Sequence, residues 1–203
     1  MLTLILGGAR SGKSDLAERL AGASGRPVLF VATMEPGDDE MRARITAHRA
    51  QRPEVWRTVE EPLDVLAALR SHAAAGDFVV VDCATLWVSN LLLARIPDAG
   101  AIAPVATRAV IDDVAERAGA LAGWCAAFGG DAAIVSNEVG AGIVPAYPLG
   151  RVFRDALGAA NRIVAGRADR VYYLVAGLAL ELKSLGAATL DTFNETRNDP
   201  DQR

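Results

Sequence analysis

The sequence predicts an α/β protein with a mostly parallel central sheet and helices on both faces of that sheet. Short apolar runs alternate along the chain with longer segments of helical periodicity, which is the pattern of consecutive βαβ units. The length of 203 residues suits one domain with a full hydrophobic core, and no internal repeat is visible. A hydrophobic content of 51% with 23% charged residues is typical of a globular chain.

Five short apolar runs predict strands of this sheet, and they lie at residues 2–6, 27–32, 78–81, 132–135 and 171–175. Residues 56–59 could form a further short strand. The run at 78–81 is apolar throughout and is followed by Asp82, as is typical of a buried parallel strand. The run at 171–175 is expected to be the last strand.

Helical patterns fill the intervals between the runs, at residues 13–21, 38–50, 62–74, 84–95, 105–128 and 149–165. Acidic residues begin the second of these helices, where the helix dipole favours them, and Pro62 stands in the first turn of the third. Residues 97–104 are predicted to form a loop. Low hydrophobicity from residue 184 onward predicts a single domain at 1–183 followed by a loosely ordered tail at 184–203.

Charge and cysteine usage exclude several classes of function. The net charge of −4 argues against a broad basic face for nucleic acid. No apolar run approaches the roughly 18 residues of a membrane span, and the N terminus does not have the pattern of a signal peptide. Cys83 and Cys125 suit neither a disulfide framework nor a zinc cluster and are predicted to be reduced, buried small hydrophobes. We therefore expect a soluble cytoplasmic protein without a transmembrane segment or a nucleic-acid partner.

The strongest motif lies between the first predicted strand and the first predicted helix. It matches G-x-x-x-x-G-K-S/T and consists of Gly7, Gly8, Ala9, Arg10, Ser11, Gly12, Lys13 and Ser14. Its glycines let successive N–H groups face one anion, and the helix N terminus adds a positive end. Lys13, one of only two lysines in the chain, would reach the β- and γ-phosphates, and the Ser14 hydroxyl would ligate Mg²⁺.

Besides the Ser14 hydroxyl, a phosphate loop needs an acidic group for the metal, at the end of a neighbouring strand. Asp82 fits this role, and the alternative interpretation is a helix N-cap in front of the helix at 84–95. The two motifs together predict a P-loop NTPase fold of the RecA-like type, a three-layer sandwich with a mostly parallel central sheet.

Many classes of protein share such a loop, so the loop alone does not give the function. A regulatory GTPase would need an N-K-x-D segment, and none is present. A RecA-type motor or recombinase would usually be larger and more basic. A small-molecule kinase or a nucleotidyltransferase remains.

Segments along residues 1–183 carry a more specific resemblance. Besides the phosphate loop they are Ala32-Thr33, residues 38–41, Arg44-Ile45-x-x-His48, Arg52-Pro53, residues 56–58, Glu60, residues 89–92, residues 136–145, Arg154-Asp155, Gly158, Asn161, residues 175–177 and Lys183. With these segments the sequence resembles the bifunctional adenosylcobinamide kinase/adenosylcobinamide-phosphate guanylyltransferase family of cobalamin (vitamin B12) biosynthesis. It departs from the family's pattern at Asp82, where Glu is common, at Arg162, which stands where Gln often follows Asn161, and at Met34.

The resemblance implies two activities. The enzyme would phosphorylate adenosylcobinamide with ATP or GTP, using Mg²⁺. It would then transfer GMP from GTP through a guanylylated histidine, His48, to the phosphate product, giving adenosylcobinamide-GDP. A neutral imidazole suits this chemistry, since covalent catalysis divides one difficult transfer into two. The resemblance also implies a homo-oligomer, a trimer.

The resemblance further implies a nucleotide site beyond the phosphate loop, formed by Ala32, Thr33, Met34, Arg49, Ala50, Gln51, Arg52, Glu60 and Asp82. Arg49 and Arg52 suit charge on the α-phosphate, and Glu60 could accept hydrogen bonds from guanine or ribose. The alternatives from the residues alone are a packed histidine at a core edge for His48, solvated arginines, and a surface acid for Glu60. His72 matches nothing and is expected at the surface near a helix C terminus.

Residues 137–140 follow a predicted strand, and one interpretation places them on the corrinoid side of the site. Turn formation by Gly140 and Gly142 explains the glycines equally well. Two other functions compete with the bifunctional enzyme. One is a monofunctional P-loop kinase in which His48 is incidental, and the other is a nucleotide-binding regulator without chemistry.

Overall fold

A computed structural model of the chain describes residues 1–35, 52–96 and 104–189. The helix predicted at 38–50 and most of the loop predicted at 97–104 lie outside these residues. So does most of the predicted tail.

Seven strands form one sheet in the described part of the chain. They are β1 Leu2–Gly7, β2 Val28–Ala32, β3 Arg57–Glu60, β4 Phe78–Asp82, β5 Asp131–Asn137, β6 Arg170–Val175 and β7 Leu178–Glu181. Their order across the sheet is β3-β2-β4-β5-β1-β6-β7. All neighbours pair in parallel except β6 and β7, so the prediction of a mostly parallel sheet is confirmed.

Five helices accompany the sheet within the same described ranges. They are α1 Lys13–Ala23, α2 Val65–His72, α3 Ala84–Arg95, α4 Pro104–Ala127 and α5 Pro148–Arg167. None of the described helices is long and apolar enough to cross a membrane.

The hydrophobic core has two parts because successive strand residues point to opposite faces of the sheet. Leu2 and Leu4 face a large cluster that includes side chains of α2, α3, α4 and α5. Ile5 and Phe30 belong to a second cluster, which α1 covers through Ala17 and Ala21. Helices on both faces of the sheet give the predicted three-layer α/β sandwich.

The third predicted helix begins later than expected. It was predicted from Pro62, but α2 begins at Val65. The side chain of Glu61 explains the difference, because its Oε1 accepts hydrogen bonds from the N–H groups of Leu63 (2.9 Å) and Asp64 (2.8 Å) and folds this segment into a turn.

The strand at 170–175 is not the last one, as had been predicted. Ala176 (φ 51°) and Gly177 (φ 81°) both have positive φ and form a two-residue turn. The turn reverses the chain, so that Leu178 pairs with Val175 and β7 runs antiparallel to β6. Its alanine replaces the Asn or Asp that usually marks this turn, which removes the sequence signal.

Candidate active site

The loop between β1 and α1, residues 7–14, has the backbone that phosphate binding requires. A Cβ atom at Gly7 would lie 2.5 Å from the carbonyl oxygen of Leu174, so only glycine fits there. Gly12 has φ 92° and leads directly into the first residue of α1. Residues 10–15 line an open pocket with a volume of about 360 Å³ at the start of this helix. The N–H groups and dipole of a helix N terminus make such a concavity an anion site.

Lys13 is held inside this loop and is only 8% exposed. Its Nζ donates hydrogen bonds to the carbonyl oxygen of Gly8 (2.5 Å) and to Oγ of Ser11 (3.5 Å). Burial lowers the pKa of Lys13 below its usual 10.5, and the nearby Cys83 and Asp82 partly oppose this shift. Both hydrogen-bond partners are neutral, so neither of them neutralises the charge of the ammonium group.

Ser14 and Asp82 are the two oxygen ligands predicted for a magnesium ion. Ser14 is half-buried in the first turn of α1, and Asp82 is the half-buried last residue of β4. The N-cap of α3 is Cys83, so Asp82 does not occupy the cap position that was its alternative interpretation. A hydroxyl and a carboxylate fit Mg²⁺, which prefers hard oxygen ligands and binds with phosphates and water. No group of three or more His, Cys, Asp or Glu side chains that could hold a metal ion occurs in the described ranges.

The carboxyl ends of three neighbouring strands carry the other predicted nucleotide residues. Ala32 of β2 pairs with Glu60 of β3 on one side and with Asp82 of β4 on the other. Glu60 is exposed, whereas Asp82 is half-buried. Strands lie about 4.8 Å apart, so the backbones of these two acids are separated by about 10 Å across the sheet edge.

Thr33 directly follows β2, is fully buried and bonds to the end of β4. Its N–H donates to the carbonyl oxygen of Asp82 at 3.1 Å. Its Oγ1 donates to the carbonyl oxygen of Cys83 and accepts from the Cys83 N–H, both at 2.8 Å. Its carbonyl oxygen accepts a hydrogen bond from Nδ2 of Asn90 at 2.8 Å. Thr33 therefore acts within the protein to hold this edge together, and Met34 follows it, half-buried.

Cys83 differs from the sequence prediction. It is only half-buried and lies next to Asp82, whereas Cys125 is fully buried as predicted. Burial, together with the negative charge of Asp82, raises the pKa of the Cys83 thiol to about 11. The thiol is therefore neutral at pH 7. His72 is exposed in the last turn of α2, as predicted.

Arg52 lies on the α1 side of the sheet. Its guanidinium carbon is 3.5 Å from the centre of the Phe30 ring, and its Nε is 3.7 Å from Oε1 of Glu18 in α1. Its side chain is 10% exposed. The predicted catalytic residue, His48, lies outside the described residues, as do Arg49, Ala50 and Gln51.

The loop after β5 lies beside the phosphate loop. The N–H of Glu138 donates to the carbonyl oxygen of Gly7 at 3.1 Å. Asn161 of α5 holds the end of the strand, because its Nδ2 donates to the carbonyl oxygen of Asn137 at 2.9 Å and its Oδ1 accepts from Oγ of Ser136 at 2.6 Å. Asn161 is 7% exposed. The resemblance included Asn161 but gave it no role. In the sequence, the only sign of a role was an amide side chain inside a predicted helix.

Asp82 was predicted at the end of a neighbouring strand, but β5 lies between its strand, β4, and β1. A phosphate loop at the carboxyl edge of a parallel sheet, with a lysine inside it and an acid at the end of β4, defines a P-loop enzyme that uses nucleotides. Comparison with known proteins identifies the family. Residues 3–182 match the sequence model of the family described as cobinamide kinase / cobinamide phosphate guanyltransferase. The chain belongs to this family of bifunctional enzymes of cobalamin biosynthesis. The predicted fold class, family and pair of activities are thereby confirmed.

Curated relatives agree with the family match. The chain is 47% identical over 183 residues to the bifunctional adenosylcobalamin biosynthesis protein CobP of Pseudomonas aeruginosa, which covers 90% of this chain and 98% of the relative. It is 39% identical over 189 residues to the bifunctional adenosylcobalamin biosynthesis protein CobU of Salmonella typhimurium. It is 37% identical over 187 residues to the protein of the same name in Escherichia coli. These two matches each cover 90% of this chain and all of the relative.

Proposed function

We propose that this chain carries out both activities of its family on the adenosylated corrinoid. It phosphorylates the aminopropanol hydroxyl of adenosylcobinamide with ATP or GTP, and it then transfers GMP from GTP through His48 to the new phosphate. The observation that carries this proposal is the complete phosphate loop, with Lys13 buried inside it, in a chain that matches the family over residues 3–182.

In the kinase step, the hydroxyl oxygen attacks the γ-phosphorus of the nucleotide. The bond from that phosphorus to the bridging oxygen breaks, the hydroxyl proton is lost to solvent, and the nucleoside diphosphate leaves. Lys13 and the backbone of residues 7–14 orient the phosphates and stabilise their negative charge. Ser14 and Asp82 would hold Mg²⁺, which supplies further charge stabilisation when it is bound.

In the guanylyl step, an imidazole nitrogen of His48 attacks the α-phosphorus of GTP and pyrophosphate leaves. A phosphate oxygen of adenosylcobinamide phosphate then attacks the same phosphorus, the P–N bond breaks, and adenosylcobinamide-GDP is released with His48 restored. Arg49 and Arg52 are proposed to stabilise charge on the α-phosphate. Because Arg52 also packs against the Phe30 ring, we propose a second role for it, which is to support the chain segment that leads into β3.

The remaining nucleotide contacts are proposed for the row of strand ends. Glu60 would accept hydrogen bonds from the guanine or the ribose, which its exposure at the end of β3 supports. Ala32, Thr33 and Met34 would shape the adjoining edge of the pocket, and Ala50 and Gln51 would lie in the segment after His48. Residues 137–140 are proposed to lie on the corrinoid side of the site, which the hydrogen bond from Glu138 to Gly7 supports.

The extent of the domain, the oligomeric state and the location in the cell are also proposals. Residues 1–183 would act as a single domain, and the family match over 3–182 supports this extent. The chain would assemble as a homo-oligomer, a trimer by resemblance to its family. It would work in the cytoplasm, where its nucleotide substrates are found.

Incubation with GTP labelled at the α-phosphate tests the guanylyl step. We expect a protein adduct that is stable in base and labile in acid, as a phosphoramidate is, and we expect none with His48→Ala. A matched control is His72→Ala, which removes the other histidine of the chain and should leave the adduct unchanged. If the wild-type protein forms no adduct but still phosphorylates adenosylcobinamide, the chain is a monofunctional kinase. If it binds nucleotide but transfers neither group, it is a regulator.

A further inference from the structure

We propose that Asn90 is a positioning residue that sets where Glu60 lies relative to Asp82, and through this distance sets the affinity for GTP. The inference rests on the proposed function, in which Glu60 contacts the nucleotide and Asp82 lies on the metal side. Asn90 itself is not expected to touch the nucleotide.

The carboxamide of Asn90 joins two segments that are distant in the sequence. Its Nδ2 donates to the carbonyl oxygen of Thr33 at 2.8 Å and to the carbonyl oxygen of Pro62 at 3.2 Å. Thr33 follows β2 and Pro62 follows β3, so one side chain of α3 bridges the ends of two neighbouring strands. An amide NH₂ has two donor hydrogens, and here each has its own carbonyl acceptor.

One side of this bridge is fixed to the strand that carries Asp82. Thr33 donates its N–H to the carbonyl oxygen of Asp82 at 3.1 Å, and its hydroxyl makes two 2.8 Å bonds to the backbone of Cys83. Thr33 is fully buried, so these bonds are shielded from competing water. The end of β2 and the end of β4 therefore move together.

The other side of the bridge carries Glu60. The N–H of Glu61 donates to the carbonyl oxygen of Ala32 at 2.9 Å, and Pro62 is held by Asn90. Leu63, the next residue, accepts a hydrogen bond from Nε1 of Trp87 at 2.9 Å. Glu60 is exposed at the end of a four-residue strand and directly precedes the segment that these bonds hold. Without Asn90, nothing among these bonds connects Pro62 to Thr33.

The chemistry of the bridge requires a donor at position 90. Asn90→Asp keeps the size of the side chain, but a carboxylate has no N–H to donate and places negative charge against two carbonyl oxygens. Asn90→Ala removes the bridge without repulsion. Both changes should displace Glu60 while leaving Lys13 and Ser14 on the other side of the site intact.

The experiment measures the dissociation constant for GTP with Mg²⁺ by calorimetry, and the KM and kcat of adduct formation with α-labelled GTP. We expect the Kd and KM to rise about 5–20-fold in Asn90→Ala and at least as much in Asn90→Asp, with kcat within about twofold of wild type. Asn90→Gln, which retains the donor on a longer arm, should recover part of the affinity. Circular dichroism and thermal melting establish that each variant is folded.

Trp87→Phe is the matched control, because it removes a hydrogen bond from the same helix to the same segment without breaking the link to Thr33. It should change the Kd by less than about twofold. If the Asn90 variants that fold bind GTP as the wild type does, or if Trp87→Phe weakens binding equally, the positioning role is wrong. A wild-type protein that binds GTP but forms no adduct refutes the guanylyl step instead, and the Kd comparison still decides the role of Asn90.

Discussion

The two edges of the sheet use charged residues in opposite ways. At the amino edge, where the parallel strands begin, acids are paired with fixed partners. Asp77, just before β4, lies 2.5 Å from Nη2 of Arg57. Asp131, the first residue of β5, lies 3.2 Å from the terminal amine and 3.0 Å from Nε of Arg26. Charges here neutralise each other and join segments that are far apart in the sequence.

At the carboxyl edge, charge is held by neutral groups. The ammonium group of Lys13 donates to a carbonyl and a hydroxyl oxygen, and the nearby Cys83 and Asp82 only partly oppose the lowering of its pKa by burial. A buried charge that its surroundings compensate only in part costs stability. The comparison indicates that the amino edge serves the fold and the carboxyl edge keeps its charge for the phosphates of a substrate.

Lys13→Met would test this comparison with the largest effect. Loss of the ammonium charge should reduce kcat/KM for phosphorylation of adenosylcobinamide by about 10²–10³-fold. The free energy of unfolding should stay the same or rise, because a desolvated charge has been replaced by an apolar side chain of similar length. Steady-state assays and urea denaturation measure the two quantities. A clear loss of stability with little loss of activity would show that Lys13 serves the fold.

Asp77→Ala should have the opposite effect. Asp77 is 2% exposed, and its Oδ2 accepts from the Ala74 N–H (2.6 Å) as well as from Arg57. Its removal leaves both donors without this acceptor, so the free energy of unfolding should fall by about 2–3 kcal/mol. kcat/KM of the folded variant should stay within about twofold of wild type for both steps.

The matched control for this variant is Asp112→Ala, which breaks an exposed pair with Arg108 on one helix. Such pairs contribute about 0.3–0.5 kcal/mol. Equal losses in the two variants, measured by urea denaturation, would contradict the special role of the amino edge.

A smaller effect is expected on the rate at which the Cys83 thiol is alkylated. This rate depends on the negative charge of Asp82 at the carboxyl edge. The pKa of the thiol is raised to about 11 by burial and by Asp82, so only the small thiolate fraction reacts at pH 7. The rate with iodoacetamide should rise about tenfold per pH unit from pH 7 to 10, since each unit below the pKa costs a factor of ten in thiolate. Asp82→Asn should increase the rate at a given pH. Mass spectrometry separates Cys83 from the buried Cys125, and a rate that levels off near pH 8.5 would contradict the raised pKa.

The sequence predicted the parts of the fold that depend on local patterns. Apolar runs identify β1, β2, β4, β5 and β6, whereas β3, with the sequence RTVE, has no such run and was expected only as a possible short strand. The phosphate loop was predicted from its spacing. The order of the strands could not be predicted, because it depends on pairing between distant segments such as β1 with β5. β7 was missed because Ala176 occupies a turn position where Asn or Asp would have given a signal.

In the candidate site, too, residues in local motifs could be predicted, and residues that act through tertiary packing could not. Lys13 and Asp82 could be predicted because the phosphate loop and the strand end are local motifs. The bridge through Asn90 could not be predicted, because Asn90 is 57 positions from Thr33 and 28 positions from Pro62 in the sequence. Its hydrogen bonds form only when α3 packs against the ends of both strands. The position of Arg52 over Phe30 likewise depends on tertiary packing, which a pattern of charges along a chain does not contain.

The most direct test of the bifunctional reaction is a chase of the labelled intermediate. Protein labelled with α-phosphate-labelled GTP is separated from free nucleotide and mixed with adenosylcobinamide phosphate. We expect the label to leave the protein and appear in adenosylcobinamide-GDP in equal amount, with no added GTP. A label that stays on the protein, or that is released as free GMP at the same rate with and without the corrinoid, would contradict transfer through His48.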